Sequence, residues 1–279
     1  MPEPDQGFDN LTVLITGASL GVGAACARAF ASRGANLVLI ARRRDPIEQL
    51  AAAIDAPERI MIAPLDVTDH EGFASLLEAA SARFGSIDIL VNNAGFHRRG
   101  PFEQVSPEDL GRMVDVNLKA PVVLTRLCLP YLRSSRRAAV INVASLAGRT
   151  PVPGSATYSA TKFGLRALGL ALAEEMRDSG IKFASVSPGP IDTGFIMDDI
   201  DEVTDLTFSQ PISTAEEVAE AVVALVDNRR LDQPMPAISG YLTTLSYLFP
   251  SLGRALRPML ERKGRRTKAR LKAERGEHH

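Results

Sequence analysis

Apolar residues in this chain fall into two patterns that alternate along most of its length. Near-continuous runs occur at 11–16 (LTVLIT), 36–41 (NLVLIA), 59–65 (RIMIAPL), 87–92 (IDILVN), 138–145 (AAVINVAS) and 181–187 (IKFASVS). They are short and mostly rich in β-branched residues, which predicts strands. Between them, apolar residues recur at three- and four-residue steps, the period of a helix with one buried face. These stretches predict helices over 21–34, 46–54, 68–85, 106–134, 156–178 and 215–227. Gly34 and Gly85 stop two of them, Thr68 with Glu71 three residues later reads as a cap, and Ser213 or Thr214 opens the last. Strands apolar on both faces and separated by helices belong to a parallel sheet covered on both sides. With right-handed crossovers, that is a doubly wound α/β fold. No linker or repeat interrupts residues 8–240, so residues 1–240 are expected to form one domain, followed by an extension over 241–279.

The first strand-to-helix turn carries chemistry. It reads Thr16-Gly17-Ala18-Ser19-Leu20-Gly21-Val22-Gly23. Three glycines allow a tight turn, close approach of backbone to a pyrophosphate, and close packing of helix on strand. The free N–H groups of the helix N-terminus then face the phosphates. A glycine-rich turn alone is weak evidence; one that follows a strand and opens a helix in a βαβ unit points to a dinucleotide. The end of the second strand bears on which one. NAD sites place Asp or Glu there for the adenosine ribose hydroxyls, whereas this chain has Ala41 followed by Arg42, Arg43 and Arg44. A guanidinium with no carboxylate beside it favours a 2′-phosphate and hence NADP(H); the plainer alternative is a solvated basic loop.

Tyr158 and Lys162 stand four residues apart on one face of a predicted helix, and Ser145 ends a strand thirteen residues before the tyrosine. A nearby ammonium favours the phenolate and lowers the phenol pKa from about 10. A neighbouring hydroxyl could hold a substrate oxygen while the tyrosine passes it a proton. Alone, such a pair is more often a solvated lysine beside a half-buried tyrosine.

Taken in order, these motifs resemble those of the short-chain dehydrogenase/reductase family in its compact single-domain form, over roughly residues 10–230. TGASLGVG (16–23) is similar to the family's phosphate turn, Asp66-Val67 to its adenine-contacting pair, and Asn92-Asn93-Ala94-Gly95 to the motif that closes its cofactor pocket. Asn117 resembles the asparagine that helps hold a water in a proton relay, and Ser145, Tyr158 and Lys162 resemble the catalytic residues. Pro188, Gly189, Ile191 and Thr193 resemble the segment that borders the nicotinamide. The resemblance implies a Rossmann fold and hydride transfer to or from a carbonyl carbon, with Tyr158 as general acid. Lys162 would lower the tyrosine pKa and bind the nicotinamide ribose. Two departures stand out. Leu20 occupies a position that is basic in many NADP-using relatives, which leaves the 2′-phosphate to Arg42, with Arg43 and Ser19. The usual last strand is replaced by a segment in which Pro234 and Pro236 allow only a short or edge piece.

Two alternatives remain open on these residues: an NAD-dependent alcohol dehydrogenase of the same family, and a nucleotide-binding sensor or scaffold without catalysis. The segment after Thr193 sits where relatives carry a lid, and its Phe195, Ile196, Met197, Leu206 and Phe208 either wall an apolar pocket or pack on the body. Phe96 and His97 border the same region, with His97 read as a loop residue.

Composition adds bounds. The chain has 279 residues, 45% hydrophobic and 23% charged, with net charge −1, and no apolar run approaches the roughly 20 residues of a membrane span. The N-terminal MPEPDQGFDN reads as no secretory signal, and Cys26 and Cys128 suit neither a disulfide nor a metal site, so a cytoplasmic protein is expected. The small net charge conceals an asymmetry. Residues 254–279 carry ten Lys and Arg against three Asp and Glu, a net +7, leaving −8 on the rest. Leu242, Leu245, Leu248, Phe249, Leu252, Leu256, Met259 and Leu260 recur at helical steps there, interspersed with arginines. This basic amphipathic extension can pack on the body or on a second subunit of a homo-dimer or homo-tetramer, or touch an anionic membrane surface. No stacking platform for nucleic acid is present. The expected partner is a small carbonyl or alcohol substrate.

Overall fold

Six of seven parallel strands use the apolar runs. The computed structural model describes residues 7–197 and 200–276. Its strands are β1 (Thr12–Thr16), β2 (Asn36–Ala41), β3 (Ile60–Pro64), β4 (Ile89–Asn92), β5 (Ala139–Val143), β6 (Lys182–Pro188) and β7 (Asp232–Met235). They form one sheet in the order β3-β2-β1-β4-β5-β6-β7. Every neighbouring pair is parallel. The winding reverses between β1 and β4, the position at which such sheets open a crevice beyond their strand ends. β7, paired through Pro234, is the short edge piece that the prolines permit.

Successive strand residues serve opposite faces. Val13, Ile15, Leu37 and Leu39 enter one core with α1 (Gly21–Ala31), α2 (Arg44–Ile54) and, later in the chain, Ala215–Asp227. Leu14, Val38 and Ile40 enter the other with α3 (His70–Phe84) and residues of the helices that follow. Those are α5 (Ala120–Leu132) and α6 (Ala156–Glu175), while α4 (Pro107–Val114) lies against α6. Because both faces are covered, the strands read as continuous rather than alternating apolar runs. A short α7 (Gly194–Met197) begins the segment after β6, and α8 is the Ala215–Asp227 helix. α9 (Ala237–Leu248) and α10 (Pro250–Gly276) complete the described chain. Among the described residues, no helix is long and apolar enough to cross a membrane.

Two boundaries differ from the sequence expectation, and a third settles a choice it left open. The long pattern over 106–134 is two helices joined through one π-turn, Asp115–Lys119. α3 is capped by Asp69, whose carboxylate accepts the Gly72 N–H at 2.9 Å; Thr68 is engaged elsewhere, its N–H and hydroxyl both donating to Asp66. A carboxylate one residue nearer the helix is the better acceptor for the orphan N–H groups. Of the two candidates for α8, Thr214 is the cap, in a reciprocal pair with Glu217 (3.1 and 2.9 Å).

One side-chain cluster fastens β7 and α9 to the body. Asp232 on β7, with its side chain 9% exposed, pairs with Arg149 and Arg166 and accepts from the Ser187 hydroxyl at 3.0 Å. Arg149 also donates to Thr244 on α9 at 3.3 Å. Removing the shared carboxylate strands two largely enclosed guanidiniums. Asp232→Ala should therefore cost about 3 kcal/mol and lower the thermal midpoint by roughly 6–12 °C. Thermal unfolding followed by circular dichroism measures this, and an unchanged midpoint would deny the cluster its role.

Candidate active site

The C-terminal ends of the strands open into one cleft of about 2010 Å³. At its floor, β1 and β4 are tied together by side chains. The Thr16 hydroxyl donates to the Val91 carbonyl (3.1 Å) and accepts from the N–H groups of Asn93 and Ala94 (3.0 Å each). The Asn93 amide donates to the carbonyls of Thr16 (2.9 Å) and Gly17 (3.1 Å). This close junction explains two glycines. A Cβ on Gly17 (φ 66°) would lie 2.9 Å from Ala94 Cα, and one on Gly23 would lie 2.2 Å from the Gly17 carbonyl oxygen. Gly21 (φ 53°) turns toward Thr193 across the cleft. Leu20, at the N-cap of α1, offers no side-chain cap, and the first turn carries no acid. The α1 N-terminus thus lines the cleft through Ser19, Leu20, Gly21 and Val22 with its N–H groups free for an anion.

Beyond the turn, Ala41, Arg42, Asp66 and Val67 line the same end. Burial pushes the Asp66 carboxyl up, but the two hydrogen bonds from Thr68, aided by Arg42 and Arg112, outweigh it and hold the group below the usual carboxylate range. Arg43, exposed at the N-cap of α2, is not among the residues lining the cleft.

The β4 loop leads to the other end. Asn117, fully buried in the π-turn, accepts from the Phe96 N–H (2.9 Å) and donates to the Phe96 carbonyl (2.9 Å) and the Thr161 hydroxyl (3.4 Å). A Cβ on Gly95 would lie 3.1 Å from Asn117 Oδ1 and 3.6 Å from Lys162 Nζ, so the loop presses against the lysine. Lys162, 4% exposed, donates to the Val143 carbonyl at 2.8 Å and sits 5.7 Å from the Tyr158 ring centre. Burial lowers its pKa to about 8. Ser145, at the start of a 3₁₀ turn after β5, accepts from the Ala147 N–H at 3.1 Å, donates to the Pro188 carbonyl at 3.5 Å, and lines the cleft together with Tyr158.

Burial raises the Tyr158 pKa above 10, outweighing the nearby Ser145 hydroxyl and the charge of Arg99, which pull it down. The expected lowering by Lys162 is not found: its ammonium is engaged by Val143, and loss of water around the phenol dominates. His97 is more than a loop residue. Its ring stacks on Tyr158 at 4.2 Å and 16°, and burial, with Arg99 and Lys162 nearby, pushes its pKa down to about 3, so it is neutral at working pH.

Pro188, Gly189, Ile191 and Thr193 line the wall after β6. Of the apolar residues beyond them, Ile196, Met197 and Phe208 are buried with Val203 in a small core reached by Leu271 of α10. Phe195 and Leu206 face the cleft, Phe195 at 6.3 Å from the Tyr158 ring. Asp198 and Asp199 lie outside the described residues. α9 and α10 wall the same cleft through Leu242, Leu245, Leu256, Met259 and Leu260, which the apolar spacing did not foretell. Their period was legible, but the neighbour they face was not.

Residues 11–203 match the family model described as short chain dehydrogenase. The chain belongs to the short-chain dehydrogenase family. It is 31% identical to "Dehydrogenase/reductase SDR family member 7B" of Bos taurus, over 93% of this chain and 84% of that one. A solved structure from Brucella melitensis, titled "Short-chain dehydrogenase/reductase SDR:Glucose/ribitol dehydrogenase", superposes with a TM-score of 0.75 at 29% identity, covering 81% of this chain and 95% of that one. A short chain dehydrogenase from Mycobacterium paratuberculosis bound to NAD, at 23% identity, shares the fold with a TM-score of 0.75 over 84% and 99% of the two chains. As a member of this family the protein is an oxidoreductase of Rossmann fold.

In this dehydrogenase the buried lysine has a cost that pH should reveal. Its folded pKa of about 8 lies below the ordinary 10.5, so between those values the unfolded chain holds a proton that the folded one has released. Stability contributed by this group therefore rises as pH climbs from about 8 to 10.5 and is flat below 8. Relative to Lys162→Met, the wild-type protein should gain stability over that window in urea unfolding. Parallel profiles would mean that the ammonium is not held in a water-poor site.

Proposed function

We propose that this short-chain dehydrogenase reduces an apolar ketone or aldehyde with NADPH, with Tyr158 giving the proton. The observation that carries the reading is that Ser145, Tyr158 and the buried Lys162 gather at one end of a cleft that begins at the uncapped N-terminus of α1. The residues fit the dinucleotide: the Gly17 and Gly23 positions admit no Cβ, the first turn of α1 repels no anion, and Arg42 is exposed where a ribose phosphate would lie. Gly17, Ser19, Leu20, Gly21, Val22 and Gly23 would hold the phosphates and Arg42 the 2′-phosphate. Asp66 and Val67 would meet the adenine, and Asn93, Ala94, Gly95, Pro188, Gly189, Ile191 and Thr193 would enclose the nicotinamide half. When bound, that cofactor supplies the hydride.

The rest is done by the chain. Ser145 holds the carbonyl oxygen by its hydroxyl, fixing the carbon's position. The phenol, kept protonated by its surroundings, is in the right state to donate as negative charge grows on that oxygen. Lys162, with ammonium donors to spare beyond its bond to Val143, stabilises the tyrosinate left behind and would hold the ribose hydroxyls of a bound cofactor. Asn117 keeps the Gly95–Phe96 backbone against the lysine. Phe195, Leu206 and the α9–α10 wall give the pocket its apolar lining.

Tyr158→Phe should cut kcat at least about a hundredfold, the scale of general acid catalysis, while cofactor fluorescence titration shows binding retained. A mutant turning over at the parent rate would sink the assignment. Arg42→Ala should weaken NADPH about tenfold and leave NADH unchanged, as expected for one lost charge-assisted contact. Equal losses for both cofactors, or tighter NADH than NADPH in the parent, would favour the NAD-dependent reading instead.

A further inference from the structure

Two helical stripes on α9 and α10 are open to solvent and meet at the mouth of the cleft. On α9, Ile238, Tyr241, Leu245 and Leu248 recur at three- and four-residue steps and are 61%, 75%, 43% and 63% exposed. On α10, Leu252, Leu256 and Met259 continue at those steps, all exposed, and the stripe then turns basic at Arg262, Arg266 and Arg270. The opposite face of α10 is committed to the protein. Gly264 packs against the Asp205 carbonyl, Lys268 donates to the carbonyls of Asp201 and Val203, and Leu271 joins the small core after β6. Leu242, Leu245, Leu252, Leu256 and Met259 both line the cleft and reach solvent, so the apolar surface runs from the cleft wall to the exterior.

We propose that this face docks on an anionic lipid bilayer, and that the carbonyl substrate, an amphiphile, passes along it from the bilayer into the cleft. Contiguous exposed apolar surface marks an interaction site, and an amphipathic segment with a basic end suits the interface of a negatively charged leaflet. Among the described residues Arg262 and Arg266 meet no carboxylate, and Arg270 pairs only with Glu274 of its own helix. A second copy of the chain would have to bring acids to these guanidiniums. The acids that meet α10, Asp201 and Asp205, and its own Glu261 are already paired with Lys272, Arg265 and Arg257. Lipid phosphates supply that partner at the depth where the apolar stripe is buried. The docking stands without the reductase reading; the delivery of substrate rests on it.

The test uses the full chain with vesicles of phosphatidylcholine, alone or mixed with phosphatidylglycerol. The wild-type protein should sediment with the mixed vesicles, come off as salt is raised, and partition far less onto phosphatidylcholine. Each arginine near an anionic leaflet multiplies partitioning by roughly fivefold, so Arg262→Glu with Arg266→Glu should weaken it at least about 25-fold. Tyr241→Asp with Leu248→Asp should also release the protein. None of these four residues lines the cleft, so both variants should still reduce a short water-soluble ketone, which also shows that they fold. Both should need a higher concentration of a long-chain alkyl ketone presented in mixed vesicles. Wild-type protein left in the supernatant, or variants that bind as it does, would overturn the docking. So would a wild-type dimer that ignores vesicles and that the charge reversal splits into monomers. Unchanged KM for the vesicle-borne ketone in a variant that no longer binds would overturn the delivery. Docking without turnover of either ketone would instead remove the reductase reading and leave the docking intact.

Discussion

The Thr16–Asn93 junction between β1 and β4 is the constraint on which the rest of this molecule depends. Two side chains hold five backbone groups, from the Val91 carbonyl to the Gly17 carbonyl, at the point where the sheet reverses its winding. This fixes the phosphate turn on one side and the start of the Gly95–Phe96 backbone on the other. From Phe96 the linkage continues through Asn117, two-pronged and buried, to the helix that carries Tyr158 and Lys162. The two ends of the cleft are thus held in register by hydrogen bonds in a dry environment, where each bond is strong and each missing partner is costly. Packing alone would leave the turn free to slide. A side-chain amide that donates to two successive carbonyls does not.

The Tyr158–Lys162 end of the cleft gives up stability by enclosing an ionisable group. Lys162 is enclosed so far that its pKa falls to about 8, and the phenol above it is pushed the other way. The shared cause is removal of water. The same removal makes His97 a neutral plate against the tyrosine ring rather than a competing acid. Two groups that ordinarily titrate close together are thereby driven apart, the phenol held protonated and the ammonium brought near its own pKa. On the proposed reading, a proton leaving the phenol would leave a charge beside one of opposite sign.

Most of the fold was legible because its strands are buried on both faces, which leaves a run of apolar residues with little ambiguity. LTVLIT and NLVLIA could be strands and little else. The cap of α3 was missed by one residue since Thr68 and Asp69 are both good caps, and only the competing pull of Asp66 on Thr68 decides. The π-turn at Asp115–Lys119 was hidden because a single extra residue in a helix does not break the apolar period. In the site, motif spacing found the residues but not the balance of forces on them. The sign of the Tyr158 shift depends on how much water the fold excludes, which no spacing encodes. The stacking of His97 likewise depends on how the loop after Gly95 lies across α6.

The extension shows the same limit from the other side. Its helical period and its positive charge are both in the sequence, yet period alone says only that one face is special. The fold decides which. Gly264 lets α10 approach the Asp205 carbonyl closely, a contact that a Cβ would forbid, and this rotates the Leu252–Arg270 stripe outward. Had α10 turned that stripe inward, the cleft would be closed by leucines and the arginines would be buried without partners, at a cost of several kcal/mol each. Glycine at one position therefore sets both the packing of the helix and the exposure of its apolar face. The cleft mouth becomes apolar because burying the arginines is worse than exposing the leucines.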